Sequence, residues 1–528
     1  MRLAGAGLFA TAVVWAATPC EELGKAAAQP NTVVQRAELV TAGEFTPPGA
    51  KTPIRNLPPF CRVAGSLRPS ADSDIRFEVW LPSAPGAWNG KFQGIGNGGF
   101  AGAISWGGLA GAVMRGYAAA STDTGHEAGG TDARWAMDHP EKVIDFGHRA
   151  IHETAVKGKA FTTAFYGQAP KYSYFSSCSN GGRQALMEAQ RYPEDYDGII
   201  AGAPANYWTH LMTLALWEMK ATLAEPAAYI PAAKLKAIQA AMLAACDAAD
   251  QVEDGVINEP LHCRAPLDSL RCQGAENDAC LTAPQLEALR KIQMGLHTGK
   301  GKRVFPAISP GGEAEPGGWG GWITGPAPEQ SAMYLFGTNF FKYVVHEDAK
   351  WDFRTADIDR ELALAVKKTA HILDANNPDL RPFLKRGGKL MLYHGWCDAA
   401  IPAENTIDYY RNAVRRVGGK QAATGLRLFM APGVQHCGAG AGPNVFGQGG
   451  PSANADAGRD MNAAMERWVE QGAAPDQIIA TKYRINGNPA SGVERTRPLC
   501  AWPAEARWSG AGSTDEAANF RCVAPAAR

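Results

Sequence analysis

Ser179 lies in the string Ser177-Cys178-Ser179-Asn180-Gly181-Gly182, directly after the strand-like residues 172–175 and before the helix-like residues 183–191. A serine on a sharp strand-to-helix turn needs small residues two places to either side, because larger side chains would collide across the tight backbone. Ser177 and Gly181 meet that need, although a serine stands where the usual Gly-x-Ser-x-Gly string has its first glycine. A hydroxyl is a poor nucleophile until a base takes its proton, and that base must be oriented by a third group. The strand-like run 389–393 leads into His394-Gly395-Trp396-Cys397-Asp398, and the run 426–430 leads to Gln435-His436-Cys437. The chain order Ser, Asp, His then gives a nucleophile in Ser179, a general base in His436, and in Asp398 the acid that holds the imidazole tautomer. That chemistry is acyl transfer.

Such a triad needs a rigid frame. Between residues 76 and 204, short β-like runs (77–81, 117–121, 172–175, 198–201) alternate with helix-like ones, and the same grammar returns at 389–393 and 426–430. Alternation of this kind predicts βαβ units and a mostly parallel sheet, an α/β fold. Residues 206–384 differ, with an Ala-rich helical stretch at 232–245, four cysteines and a Pro/Gly-rich segment at 306–328. They read as an insertion, although an independent second domain would have the same composition.

Gly94-x-Gly96-x-x-Gly99, with a strand-like lead-in and Asp123 after a later strand, also matches a dinucleotide-binding pattern, so a nicotinamide oxidoreductase is a rival reading. A lone fingerprint of this type is weak. In the hydrolase reading the same glycines bring backbone N–H groups of Gly98 or Gly99, together with that of Asn180, to an oxyanion.

Cys178 precedes the serine and Cys437 follows the histidine, so a disulfide between them would tie nucleophile to base. This Cys-Ser, Asp, His-Cys arrangement resembles the signature of the tannase and feruloyl esterase family. The resemblance extends to residues 94–102 (GIGNGGFAG), Thr122-Asp123-Thr124-Gly125-His126, residues 178–184, residues 197–204 and His394-Gly395-x-x-Asp398, and so covers nearly the whole chain beyond its N-terminus. It implies an α/β-hydrolase fold in two pieces, 18–205 and 385–528, with 206–384 as a large inserted lid domain. It also implies cleavage of esters of aromatic acids, feruloyl or galloyl esters among them. A terephthalate-monoester hydrolase is the alternative within the family, and a catalytically silent family member that only binds phenolic esters or glycans is the non-enzymatic one.

The resemblance implies structural calcium in the lid, held by the side chains of Asp247, Asp250 and Asp254 and the carbonyls of Val252 and Val256; three carboxylates in a Gly-containing loop suit a hard cation, without EF-hand spacing. A solvated acidic loop is the bland alternative. No organic cofactor is implied. The implied disulfides are Cys20–Cys61, Cys246–Cys263, Cys272–Cys280 and Cys500–Cys522 besides Cys178–Cys437, leaving Cys397 free beside Asp398. Trp319, Trp322, Tyr334, Phe336, Phe340 and Phe341 either line an aromatic substrate pocket or form the lid's core.

Composition agrees with export. Eleven cysteines without a Cys-x-x-Cys fit disulfides in an oxidising compartment. Met1-Arg2 and the apolar stretch 3–17, too short to span a bilayer, read as a signal peptide over 1–17 that sends the protein to the periplasm or medium. With 52 basic and 52 acidic residues and no Lys/Arg run, nucleic acid is excluded as a partner, and no later stretch predicts a membrane span. The partner is a small aromatic or plant-polymer ester, and the oligomeric state stays open.

Overall fold

Runs of small and branched apolar residues, buried on both faces, build one central sheet in a computed structural model that describes residues 17–26, 28–448 and 456–524. The expected signal peptide, apart from Ala17, lies outside the described residues. The nine strands are β1 (Thr32–Val40), β2 (Phe60–Leu67), β3 (Ile75–Pro82), β4 (Lys91–Ile95), β5 (Ala118–Thr122), β6 (Tyr172–Cys178), β7 (Gly198–Gly202), β8 (Lys389–Gly395) and β9 (Leu426–Ala431). They lie in the order β1-β2-β3-β5-β4-β6-β7-β8-β9. The six from β5 to β9 run parallel, and β1, β2 and β3 add antiparallel pairings at one edge. Every strand expected from the sequence is present.

Successive side chains of a strand point to opposite faces, and both faces are covered here. Leu390 and Leu392 of β8 face a core shared with Ile151, Phe161, Leu186 and Ile407, from helices Ala150–Tyr166, Asn180–Arg191 and Ala403–Val417. Met391, between them, faces the opposite core with Leu109, Val113, Met465 and Trp468, from Trp106–Met114 and Met461–Gln471. This is the expected α/β architecture.

β7 and β8 are direct neighbours, with Gly202 opposite Tyr393, so the chain between them leaves the sheet and returns to the adjacent position. That excursion carries helices Trp208–Leu223, Leu235–Cys246, Ala283–Met294, Ala332–Asn339 and Ile358–Leu373. Side-chain caps start three of them: Thr282 with Gln285 in a capping box, Ser331 on Tyr334 N, and Asp357 on Arg360 N. Met212, Phe340 and Phe341 pack with Phe100, Phe146 and Ile401, so the excursion shares a core with loops at the ends of the parallel strands. The hairpin Gln477–Tyr483 with Val493–Cys500 reaches the excursion from the other side.

Candidate active site

The parallel strands deliver the chemically interesting residues to one end of the sheet. Ser179 follows β6, Asp398 lies three residues beyond β8, and His436 lies five beyond β9. Ser179 has φ 68° and ψ −127°, between the last strand residue and helix Asn180–Arg191, and its N–H donates to Gly202 O at 3.0 Å. This is the sharp, strained turn that lifts a serine hydroxyl clear of its backbone. A Cβ on Gly181 would sit 1.9 Å from Ser177 Oγ, and one on Gly96 would sit 2.7 Å from it. Ser177 therefore fits in place of the usual glycine because its two facing residues have no side chain.

His436 bridges the other two residues. Its Nε2 is 2.9 Å from Ser179 Oγ and its Nδ1 is 2.8 Å from Asp398 Oδ2. Asp398 is 1 % exposed, and its Oδ1 accepts the N–H groups of Ala400 (2.8 Å) and Ile401 (2.9 Å). Burial alone would raise its pKa, but His436 and His394 together outweigh burial and hold the carboxyl well below the usual range. Cys178 and Cys437 form a disulfide with Cα atoms 5.9 Å apart, linking the residues next to Ser179 and His436.

His394 was not assigned a role from the sequence, although it stands four residues before Asp398. Its Nε2 is 3.0 Å from Asp398 Oδ2, and Thr406 Oγ1 meets its Nδ1 at 2.8 Å. The His-Gly-x-x-Asp string was the signal that could have found it.

On the other side of Ser179, Asn180 opens its helix, so its N–H has no intrahelical acceptor. The loop after β4 lies alongside: Gln184 Oε1 accepts Asn97 N at 3.1 Å, and Gln184 Nε2 donates to Asn97 Oδ1 at 2.7 Å. Asn180 Nδ2 donates to Asn97 O at 3.2 Å. Gly98 and Gly99 follow, with Gly99 at φ +57° and no room for a side chain, since a Cβ would lie 2.3 Å from Gly130 O. Their backbone and that of Asn180 are thus fastened together.

The dinucleotide reading fails on geometry. No helix opens at Gly94, Gly96 and Gly99, the next one being Trp106–Met114. Asp123 is 2 % exposed and accepts the N–H groups of Arg76 (3.0 Å) and Gly125 (2.8 Å), so it is not offered to a ribose.

Aromatic rings lie beside His436. Trp322 meets His436 edge to face at 4.9 Å between ring centres, stacks with Phe336 at 6.3 Å, and Phe336 meets Phe100 at 5.5 Å. Trp319 does not share this position: it is 1 % exposed and packs with Leu235, Ile238 and Ile323. Phe340 and Phe341 are likewise core, and Tyr334 packs against Phe353. Trp322 and Phe336 are the two of the six aromatics that the structure brings to the site. Gln435 Nε2 donates to Gly312 O at 2.7 Å, joining the histidine loop to the segment that carries Trp322.

The remaining four expected cysteine pairs, Cys20–Cys61, Cys246–Cys263, Cys272–Cys280 and Cys500–Cys522, are at disulfide distance, and Cys397 is free and buried. In the loop closed by Cys246–Cys263, Asp247 accepts the N–H groups of Asp254 and Gly255, and Asp250 accepts that of Val252. Asp254 Oδ2 meets Arg495 at 2.9 Å and Arg497 at 2.8 Å. Burial and the neighbouring Asp254 and Asp247 raise Asp250, the mark of carboxylates crowded in a poorly solvated place. The three side chains offer oxygen donors, the kind a hard cation takes, but Asp254 is already paired with two arginines. No helix among the described residues is long and apolar enough to cross a membrane.

Comparison with known proteins agrees with this geometry. The family model for tannase and feruloyl esterase matches residues 61–523. The chain is similar to an uncharacterised esterase of Xanthomonas campestris, 43 % identical over 96 % of this chain and 92 % of that protein. A probable feruloyl esterase B-2 of Aspergillus terreus is 33 % identical over 88 % and 86 %. The crystal structure of feruloyl esterase B from Aspergillus oryzae superposes with a TM-score of 0.87 at 29 % identity, over 96 % of this chain and 99 % of that one. With an α/β-hydrolase fold and a family match over most of its length, the chain belongs to the tannase and feruloyl esterase family of carboxylic ester hydrolases.

Proposed function

We propose that the protein hydrolyses esters of plant phenolic acids, feruloyl and galloyl esters being the reference substrates, through a Ser179–His436–Asp398 triad. The hydrogen-bonded chain from Ser179 Oγ through both nitrogens of His436 to Asp398 carries the reading. Ser179 attacks the ester carbonyl while His436 Nε2 takes its proton, and the same proton passes to the leaving alcohol. Asp398 holds the imidazole tautomer and stabilises its cation. Charge on the carbonyl oxygen is met by backbone N–H groups at Gly98 or Gly99 and at Asn180. Water then attacks the acyl carbon as His436 takes its proton, the bond from that carbon to Ser179 Oγ breaks to release the acid, and His436 returns the proton to Ser179.

Trp322 packs against His436 and Phe336 stacks on Trp322, an apolar aromatic pair beside the base that favours an aromatic acyl group. Residues 206–384 act as the lid that presents these rings, and 18–205 with 385–528 form the catalytic domain. Calcium, held by the side chains of Asp247, Asp250 and Asp254 and the carbonyls of Val252 and Val256, supplies positive charge that lets the acidic loop fold. Five disulfides favour an oxidising, extracellular compartment reached through a signal peptide at residues 1–17.

The test is release of free acid from a gallate ester, a ferulate ester and a terephthalate monoester by the oxidised protein and its Ser179→Ala variant. Release from the first two by the wild type alone is expected. Equal rates in the two proteins would remove Ser179 from the mechanism, and wild-type release confined to the terephthalate ester would overturn the substrate class.

A further inference from the structure

Arg183 stands in the first turn of the helix that begins with Asn180, and its side chain is 0 % exposed. Its hydrogen bonds go to Phe146 O (3.0 Å), Gly147 O (2.8 Å), Leu373 O (3.3 Å) and Asn180 Oδ1 (2.8 Å), none of which carries a charge. The rings of Phe146 and Trp208 face its guanidinium at 4.8 and 5.2 Å. Asp374 acts on it through space, but hydrogen-bonds its own oxygens to the N–H and hydroxyl of Thr209, both at 2.9 Å.

This is an expensive arrangement for a merely structural group. Buried cations are ordinarily paired with carboxylates, and a cation in the first turn of a helix opposes the helix dipole. Burial accordingly lowers the Arg183 pKa to about 9, still leaving it charged at neutral pH. A neutral side chain would avoid the charge penalty but leave the buried carbonyls of Phe146, Gly147 and Leu373 short of donors. Both penalties are partly offset when negative charge develops at the helix start, where the N–H of Asn180 has no intrahelical acceptor.

We propose that Arg183 is a positioning residue of ester hydrolysis, which fixes Asn180 through the Nε–Oδ1 hydrogen bond and supplies positive potential from behind the oxyanion. The assignment rests on the hydrolase reading above and deepens it. Asn180 is in turn bonded to Asn97, so the Arg183 side chain backs both halves of the oxyanion site. A fixed field whose interaction with the carbonyl oxygen grows as that oxygen gains charge lowers the barrier more than it tightens substrate binding.

The experiment compares wild type with Arg183→Gln, Arg183→Lys and Asn180→Ala, each normalised to the fraction of Ser179 labelled by a fluorophosphonate. Steady-state kcat and KM on a ferulate ester, inhibition by a phenylboronic acid that forms a tetrahedral anion on serine, and Tm are measured. Arg183→Gln is expected to lower kcat about 10- to 100-fold, with KM changed less than threefold and boronate inhibition weakened by a similar factor. Arg183→Lys, which keeps the charge, recovers most of both. Asn180→Ala keeps its backbone N–H but loses the Arg183 link, and lowers kcat several-fold, so a Gln variant that fails to fold still leaves a decisive measurement. A lowered Tm with kcat and boronate inhibition unchanged per labelled site, in either Arg183→Gln or Asn180→Ala, overturns the proposal while leaving the hydrolase intact. Failure of the fluorophosphonate to label wild type would instead overturn the hydrolase reading, and this proposal with it.

Discussion

His394 and His436 donate to the same oxygen of Asp398, at 3.0 and 2.8 Å, while the other oxygen is taken by two backbone N–H groups. The acid of the proposed triad is therefore fully solvated by protein. Its depressed pKa follows from both imidazoles overcoming burial. His394→Ala leaves burial less opposed, so Asp398 takes a proton at higher pH. Activity at pH 4–5 is expected to drop at least tenfold, relative to wild type, with a smaller loss at pH 7, read from kcat/KM profiles. Depression also means that Asp398 contributes stability above its unfolded pKa of about 3.9, lost as pH falls through the folded value; the variant should lose stability at higher pH than wild type in acid titrations followed by circular dichroism.

The Cys178–Cys437 disulfide joins residues 259 apart in sequence and adjacent to Ser179 and His436. Replacing both with serine is expected to cost about 2–4 kcal/mol of stability and to lower kcat more than it raises KM, because His436 loses its covalent link to the serine turn. Unchanged melting and turnover in the double variant would confine the bond to a bystander's part.

Trp322 is the aromatic ring placed against His436. Trp322→Ala should lower kcat/KM for a ferulate ester about 10- to 100-fold, the worth of a well-buried ring contact, but reduce hydrolysis of an acetate ester of the same alcohol far less. Trp319→Ala removes a core residue instead, so its signature is a fall in Tm with an unchanged ratio between the two esters.

Removing calcium is expected to unsettle the 246–263 loop and spare the triad. Dialysis against a chelator should lower Tm by several degrees, as loss of any ligand specific to the native state does, and added calcium should restore it where magnesium does not. Asp250→Asn should abolish that response.

Glu313 is 0 % exposed and accepts only backbone N–H groups, and burial pushes its pKa up to about 7. A raised carboxyl favours the folded state fully below its unfolded pKa of about 4.3 and loses that advantage as pH rises through 7. Wild type should thus lose stability between about pH 4 and 7 in denaturant titrations, and Glu313→Gln should flatten that dependence.

The parts of this molecule that were legible in the sequence are those fixed by local patterns. The parallel strands announce themselves as short apolar runs, and Ser179, Asp398 and His436 stand just beyond three of them. Ser177 made the serine string look irregular, because the residues that accommodate its hydroxyl, Gly96 and Gly181, lie on different elements. Trp319 and Trp322 are three residues apart and chemically alike, and only packing sends one into the core and the other to His436. The role of Arg183 was hidden for the same reason, since its carbonyl partners come from positions 146, 147 and 373, and no spacing along the chain encodes them. Asp254 looked like a simple cation ligand until Arg495 and Arg497 arrived from the distant hairpin.

Because β7 and β8 pair directly, the excursion between them leaves and rejoins the sheet without interrupting a single ladder of hydrogen bonds. The register that sets Ser179 and Asp398 apart is therefore indifferent to how long that excursion is or what it carries. On the proposed reading, changes in residues 206–384 can reshape the wall that carries Trp322 while leaving the strand ends that hold Ser179, Asp398 and His436 as they are.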